Sequence, residues 1–199
     1  MSNFDKAAKT WDDNPNRSKQ TEKLINNIKK YLKKDDIVID YGAGTGTVAI
    51  AINNLVKEVI AIDNSTGMLE VLNEKILKNG IKNIKTLNTN LVTDPFNQKV
   101  NLIITTMTMH HIKDLNDIFT KFSNILEDDG HLIIVDLEKE DGSFHTDNTG
   151  VEHFGFEEEF LRKKFKETNF KVLEYKTINK FAKNDKEYNV FLSITQKHP

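Results

Sequence analysis

The sequence predicts an α/β fold: a doubly wound, mostly parallel sheet of seven strands with helices on both faces and a C-terminal antiparallel strand. Apolar, strand-like runs alternate with amphipathic helical segments along the chain. This alternation indicates repeated β-α units and a parallel sheet covered on both faces. A glycine-rich turn links the first strand to the next helix. A short polar turn separates the last two strands, which is typical of an antiparallel hairpin.

The first 33 residues are predicted to form an N-terminal cap arm and a helix. Phe4 and Trp11 are large rings in an otherwise polar arm, so we expect the arm to pack on another part of the protein. The sequence leaves open whether the rings cover a ligand site or only pin the arm to the core. A helix from Ser18 is indicated by apolar residues three and four positions apart: Leu24, Ile25, Ile28, Tyr31 and Leu32.

Strands and helices alternate through the middle of the chain. Five apolar runs predict strands at residues 37–39, 58–62, 84–87, 100–106 and 131–137. The helices between them are bounded by capping and terminating residues. We expect one after the glycine turn as far as about Leu55, one from Asn64-Ser65 to Gly80, and one from Asp114 to Asp129-Gly130.

Residues 138–155 form the longest interval without apolar periodicity, and we interpret them as a substrate lid loop. A helix is predicted at 156–168, followed by strands at 170–178 and 188–196 joined by a turn containing Asn184 and Asp185. No feature indicates a second domain, so a single domain over residues 1–199 is predicted.

The glycine turn carries the clearest signal for a ligand. Glycines there permit close approach of a ligand and positive φ, and the following helix offers unpaired N–H groups to an anionic group. Asp40 precedes the turn at the carboxyl end of the first strand, where ligands of open α/β sheets bind. Asp63 ends the second strand and is placed to accept hydrogen bonds from the hydroxyls of a ribose.

Two motifs resemble those of a known family. Asp40-Tyr41-Gly42-Ala43-Gly44-Thr45-Gly46 has the spacing G-x-G-x-G, and the segment from Asn101 to Asp114 contains His110-His111. Both are similar to motifs of the class I S-adenosylmethionine-dependent methyltransferases of the small-molecule type. The resemblance runs from about Phe4 to the C-terminus. It implies S-adenosylmethionine as cofactor and methyl transfer by in-line displacement, in which the enzyme positions the reactants and excludes water.

The resemblance also implies the cofactor-binding residues. It assigns the turn to the amino-acid end of the cofactor, Asp63 to the ribose, Asn64 and Met68 to the adenine, and Thr106 to the methionine part. Met68 also suits an ordinary core position. Asn90 stands where the family commonly has an acid, and its amide oxygen can still accept a hydrogen bond. The full predicted set is Asp40, Gly42, Ala43, Gly44, Thr45, Gly46, Asp63, Asn64, Met68, Asn90, Leu91 and Thr106.

The residues predicted to act on the methyl acceptor are mainly histidines. His110 and His111 are candidate catalytic bases near the methyl group, because histidine titrates near neutrality; a structural role for each is the alternative. Trp11, Asp136, His145 and His153 are candidates for substrate contacts. The lid loop also carries Asp141 and Asp147, and the loose spacing of its acids and histidines favours a substrate lid while leaving a metal site as the alternative. The sequence therefore predicts no bound metal.

Composition narrows the class of acceptor. The net charge of −2 argues against non-specific binding to nucleic acid or acidic membranes. The absence of cysteine excludes thiolate mechanisms, and the Asn/Asp-Pro-Pro-aromatic run of base-amine methylating enzymes is missing. We therefore expect a small-molecule acceptor, a cytoplasmic location without a membrane span, and a monomer or homodimer. A non-catalytic cofactor-binding protein remains an alternative. A nicotinamide-dependent oxidoreductase is disfavoured by the glycine spacing and the lack of a Tyr-x-x-x-Lys pair.

Overall fold

The computed structural model describes residues 3–14, 16–183 and 185–198. Its strands form one seven-stranded sheet, which confirms the predicted fold class. The chain divides into two compact units, residues 1–95 and 96–199. Each unit is described separately below. No helix in the described part of the chain is long and apolar enough to cross a membrane.

The first unit begins with the arm and contains three parallel strands. Its sheet order is β3-β2-β1. The elements are α1 Asn3–Ala7, α2 Asn16–Ile28, β1 Ile37–Tyr41, α3 Thr47–Ile52, β2 Glu58–Asp63, α4 Thr66–Lys78 and β3 Ile84–Asn88, with 3₁₀ turns at Ala8–Asp13, Lys29–Tyr31 and Asn53–Leu55.

Burial explains why β1 and β2 are continuous apolar runs. Val38, Ile39 and Val59 are completely buried, as expected for parallel strands that are covered on both faces. The predicted helix start at Asn64-Ser65 is confirmed, because the Ser65 hydroxyl caps α4 by accepting a hydrogen bond from the N–H of Met68. These elements carry the glycine turn between β1 and α3.

The second unit contains the other four strands, in the order β4-β5-β7-β6. β4 and β5 run parallel, while β7 is antiparallel to both of its neighbours, which confirms the predicted antiparallel C-terminal strand. The elements are β4 Val100–Thr106, a 3₁₀ turn Met109–His111, α5 Leu115–Ile125, β5 Leu126–Leu137, α6 Glu158–Glu167, β6 Phe170–Lys183 and β7 Lys186–Lys197.

Two boundaries in the second unit differ from the prediction. α5 ends at Ile125 rather than at Asp129-Gly130, because the fully buried Leu126 is already extended and pairs with Val100 at the start of β4. β5 therefore begins five residues before the predicted His131, and a register shift in the ladder absorbs the extra residues.

The final hairpin is longer than predicted, since β6 continues to Lys183 instead of ending at residue 178. Cross-strand pairing, including Phe181 opposite Tyr188, sustains the ladder to its tip. Asp185 lies in the turn with a positive φ of 58°, as suits a tight connection. Asn184, also predicted in this turn, lies outside the described residues.

Candidate active site

The glycine turn of the first unit folds back onto the end of β2. The N–H groups of Gly42 and Ala43 both donate to the carbonyl of Ile62, at 2.8 and 3.0 Å. Gly42, Gly44 and Gly46 all have positive φ, at 72°, 54° and 80°. The three alternating glycines are therefore required by backbone conformation, because other residues adopt this region only at a cost.

Asp40 is buried directly before the turn with one oxygen unused. Its Oδ2 accepts a hydrogen bond from the N–H of Ala49 at 2.9 Å. Its Oδ1 is also buried and has no hydrogen-bond partner among the described residues. Burial raises the pKa of Asp40 to about 7, partly offset by the Ala49 bond. A buried acceptor without a partner is costly, so this oxygen suits a ligand that brings a donor or a positive charge.

Asp63 contacts the turn from the end of β2. Its Oδ2 accepts from the N–H of Gly44 and its Oδ1 from the N–H of Ser65, both at 2.8 Å. Burial raises the pKa of Asp63, while these backbone bonds act in the opposite direction. A carboxylate has about four acceptor sites, so both oxygens can still accept a further bond from a hydroxyl.

The N-terminal arm is tied to the same region by two carboxylates. Asp5 Oδ1 accepts from the hydroxyl of Ser65 at 2.6 Å and from the N–H of Gly67 at 3.0 Å, at the start of α4. Asp12 accepts from the hydroxyl of Thr45 at 2.7 Å and forms an ion pair with Lys75 at 2.5 Å.

The two predicted arm rings lie together, and Trp11 lies over the turn. Phe4 and Trp11 pack edge to face with centroids 5.9 Å apart. A Cβ atom placed on Gly44 would lie 3.8 Å from the indole nitrogen of Trp11. The described contacts therefore place the arm against the glycine turn, and a role of the rings in covering a ligand stays a prediction.

We expect Asp5→Ala to loosen the arm without unfolding the rest of the first unit. The substitution removes an acceptor from the positive end of α4 and two hydrogen bonds to a charged group, which are typically worth about 1.5–3 kcal/mol each. Hydrogen exchange should show faster exchange across residues 3–13. Asp13→Ala, at an exposed position on the same arm, is the control. Equal exchange in both variants would contradict this role of Asp5.

The other predicted cofactor-binding residues differ in how far their side chains are buried. Met68 and Leu91 are fully buried, Asn64 is exposed, and Thr106 is half-buried at the end of β4. The side-chain oxygen of Asn90 accepts from the N–H of Val92 at 3.0 Å and so closes a local turn. Their roles toward the cofactor remain predictions.

In the second unit, His110 and Asp136 form a buried pair. His110 Nδ1 lies 2.7 Å from Asp136 Oδ1, and both side chains are almost completely inaccessible. Asp136 also accepts from the N–H groups of Met109 and Leu137, at 2.9 and 2.7 Å. The carboxylate that we predicted to contact substrate is thus enclosed behind His110, and we reinterpret Asp136 as a residue that orients this imidazole.

Two further imidazoles complete what we call the histidine cluster: His110, His111 and His145. His145 Nε2 lies 3.2 Å from His110 Nε2, and the ring centroids of His110 and His111 are 4.1 Å apart. His111 Nδ1 lies 2.7 Å from the carbonyl oxygen of Gly150. Burial and the neighbouring His110 lower the pKa of His111. Burial and the two other imidazoles lower the pKa of His145 to about 4.

The loop of residues 138–155 is fastened to this cluster. The N–H groups of Glu152 and His153 donate to the carbonyl of His110, at 2.9 and 3.0 Å. His153 Nε2 lies 2.9 Å from the carbonyl oxygen of Ile112. The loop's other predicted polar residues point to separate partners, since Asp141 pairs with Lys186 and Asp147 bonds Thr149. Only His145 of this group joins the histidine cluster.

The comparison with known proteins identifies the chain. Its sequence matches the methyltransferase domain family over residues 14–175, well over half of its length. The chain belongs to this family. An uncharacterized methyltransferase of Schizosaccharomyces pombe is 29% identical over 147 residues, which cover 66% of this chain and 52% of the relative. The chain spans about half the length of the curated relatives it matches.

Solved methyltransferase structures share the fold. An S-adenosylmethionine-dependent methyltransferase from Clostridium acetobutylicum gives a TM-score of 0.73 at 17% identity, covering 97% of this chain and 96% of its own. A chain from the complex between the Haloferax volcanii Trm112 methyltransferase activator and a methyltransferase gives 0.78 at 15% identity, covering 100% and 99%. These likenesses concern the fold. Together with the family match, they show a chain of the methyltransferase domain family with the fold of these solved structures.

Sequence reasoning missed several residues that lie beside the candidate site residues of each unit. Contacts that hold the N-terminal arm in place are made by Asp5, Asp12 and Lys75. In the sequence, these residues look like ordinary charged surface residues. Met107 has a positive φ of 53° immediately after β4. Left-handed backbone in a non-glycine residue is uncommon and often marks a functional site, but a methionine gives no sign of it in sequence.

Proposed function

We propose that this methyltransferase transfers a methyl group from S-adenosylmethionine to a small-molecule acceptor. The observation that carries the proposal is the buried Oδ1 of Asp40, which has no hydrogen-bond partner among the described residues and lies beside a turn of positive-φ glycines. A buried carboxylate oxygen with no protein donor suits the ammonium group at the amino-acid end of the cofactor. The cofactor supplies an electrophilic methyl group, and the protein residues bind, orient and exclude water.

The residues of the first unit have distinct proposed roles. Asp40 holds the ammonium group, and the glycine backbone permits close approach to the amino-acid end. Asp63 accepts hydrogen bonds from the ribose hydroxyls while its own bond to Gly44 keeps it against the turn. The arm residue Trp11 covers Gly44 and excludes water. Asn64, Met68, Asn90, Leu91 and Thr106 stay in the proposed binding set.

We assign the acceptor to the histidine cluster. In this proposal His111, which is partly exposed, faces the acceptor, and the buried His110 lies beside it with its ring orientation fixed by Asp136 through the 2.7 Å contact. His145 and His153 belong to the ordered loop over these rings. That loop is the proposed substrate lid. We also propose that the protein is a cytoplasmic monomer or homodimer, as expected from its sequence.

Small-molecule specificity is supported by the charge and composition of the chain. The net charge of −2 is unfavourable for binding the phosphate backbone of nucleic acids. A metabolite small enough to lie beneath the loop fits these properties better than a polynucleotide does.

The test is transfer of labelled methyl from S-adenosylmethionine into a cell extract separated by size. We expect enzyme-dependent label in the low-molecular-mass fraction. Label confined to protein or nucleic acid would contradict the small-molecule assignment, and label in no fraction would contradict methyl transfer.

Asp63→Ala is expected to weaken binding of S-adenosylmethionine by about 10-fold or more, because charge-assisted hydrogen bonds contribute roughly 1.5–3 kcal/mol. Calorimetric titration measures the dissociation constant. Asp13→Ala, which removes an exposed carboxylate from the same unit, should bind like the wild type. An unchanged affinity in Asp63→Ala would mean that the ribose lies elsewhere.

A further inference from the structure

Three imidazoles that lie up to 35 positions apart in sequence converge in the second unit. His110 and His111 come from the short 3₁₀ turn after β4, and His145 comes from the 138–155 loop. The loop is held over the turn by backbone bonds to the carbonyl of His110. The convergence is therefore built into the fold of this unit.

We infer that the histidine cluster is a binding site for a divalent transition-metal ion of the zinc type. Each histidine offers one ring nitrogen, and the three nitrogens all lie within 4.8 Å of one another. Two imidazole nitrogens bound about 2.0–2.1 Å from one tetrahedral ion are roughly 3.3 Å apart. The 3.2 Å between His110 Nε2 and His145 Nε2 matches this separation.

The hydrogen bonds of the cluster select the nitrogens that a metal needs. His111 Nδ1 faces the carbonyl oxygen of Gly150, which can only accept, so this nitrogen carries the proton. His110 Nδ1 faces Asp136 in the same way. In both rings the lone pair is consequently on Nε2, the ligand atom of a neutral imidazole.

Asp136 is positioned to hydrogen-bond to a metal-binding histidine rather than to the metal itself. Metal-binding histidines usually donate their second ring N–H to a carboxylate or a carbonyl, which fixes the ring and strengthens the ligand. His110 has such a carboxylate and His111 such a carbonyl.

The donor set indicates the class of ion. Three imidazoles without a thiolate suit Zn²⁺ and Co²⁺, whereas Mg²⁺ and Ca²⁺ prefer oxygen ligands. Three protein ligands leave a fourth position for water or for a lone-pair atom of a second molecule. We predicted no metal from the sequence, because only the acids and histidines within the loop were weighed as ligands. The His110-His111 pair, which completes the site with His145, lies outside the loop. The inference does not depend on methyl transfer.

The experiment uses the full chain without a polyhistidine tag, stripped of metal by a chelator that is then removed. Co²⁺ is titrated while the visible d–d absorption is recorded, and Zn²⁺ is titrated by calorimetry. The variants are His145→Ala, at a half-exposed loop position, and His111→Ala. The control is His198→Ala, which removes an exposed histidine of the same unit outside the cluster. Thermal unfolding confirms that each variant is folded.

We expect the wild type to bind one equivalent of metal, with the intense absorption of four-coordinate Co²⁺. His145→Ala and His111→Ala should each weaken Zn²⁺ binding by at least ~10-fold, while His198→Ala binds like the wild type. Absence of saturable binding by the wild type would overturn the inference. So would equal affinity in the wild type and in both cluster variants. Loss of methyl transfer alone would not bear on it, because metal binding is measured directly.

Discussion

Asp40→Asn is expected to stabilise the folded protein at pH 8 while weakening its binding of S-adenosylmethionine. The folded-state pKa of Asp40 is about 7, against an ordinary value of 3.8. Between these values the unfolded chain has released the proton that the folded chain keeps, so the free energy of unfolding falls as pH rises. Asparagine removes this decline. The stability gain should be larger at pH 8 than at pH 5 by about 2–3 kcal/mol.

The binding effect should have the opposite sign. Loss of the carboxylate removes the proposed partner of the cofactor's ammonium group, and a charge-assisted bond is worth about 1.5–3 kcal/mol, or roughly 10- to 150-fold in affinity. Asp35→Asn makes the same charge change at an exposed position and is the control. Denaturant unfolding at the two pH values and calorimetric titration measure the two effects. If the free energy of unfolding of the variant differs from that of the wild type by the same amount at both pH values, this account of Asp40 is contradicted. Normal binding of S-adenosylmethionine by the variant would also contradict it.

Gly46→Ala is expected to destabilise the first unit by about 2–5 kcal/mol. The residue has a φ of 80°, and left-handed backbone costs roughly 1–2 kcal/mol for other residues. The added Cβ would also lie only 2.1 Å from Leu72 Cδ1, and overpacking of this kind costs about 1–3 kcal/mol. Thermal and denaturant unfolding would measure the loss.

Two further variants separate these costs. Gly80 has a φ of 63° with nothing within 4 Å of an added Cβ, so Gly80→Ala should show the backbone cost alone. Leu72→Ala in the Gly46→Ala background should cost less than the two single changes added together, because it removes the clash. A Gly46→Ala variant no less stable than Gly80→Ala would show that Leu72 accommodates the methyl group freely.

Elements with one dominant local signal were predictable from sequence. β4 was predicted with the observed bounds, because its buried residues form a single apolar run. The glycine turn was recognisable because its residue type reflects a backbone requirement that few other residues meet. The boundary between α5 and β5 was not predictable, since Leu126 fits a helix face as well as a buried strand, and pairing with Val100 decides between them.

Contacts of the candidate site that depend on the path of the loop or of the arm were not predictable from the sequence. His145 reaches His110 because the loop follows a path set by irregular contacts, such as the Glu140 carboxylate accepting from the N–H groups of Gly142 and Ser143. Such contacts have no periodicity to detect. Asp5 likewise reaches Ser65 across 60 positions, through a hydrogen bond that residue type alone does not indicate.

The most direct test of the central claim is calorimetric titration of the purified protein with S-adenosylmethionine and S-adenosylhomocysteine, with NADH as the control. We predict saturable binding of both sulfur nucleotides at one site per chain and no binding of NADH. Binding of NADH alone, or no binding of either sulfur nucleotide, would contradict the assignment of the glycine turn, Asp40 and Asp63 to the cofactor.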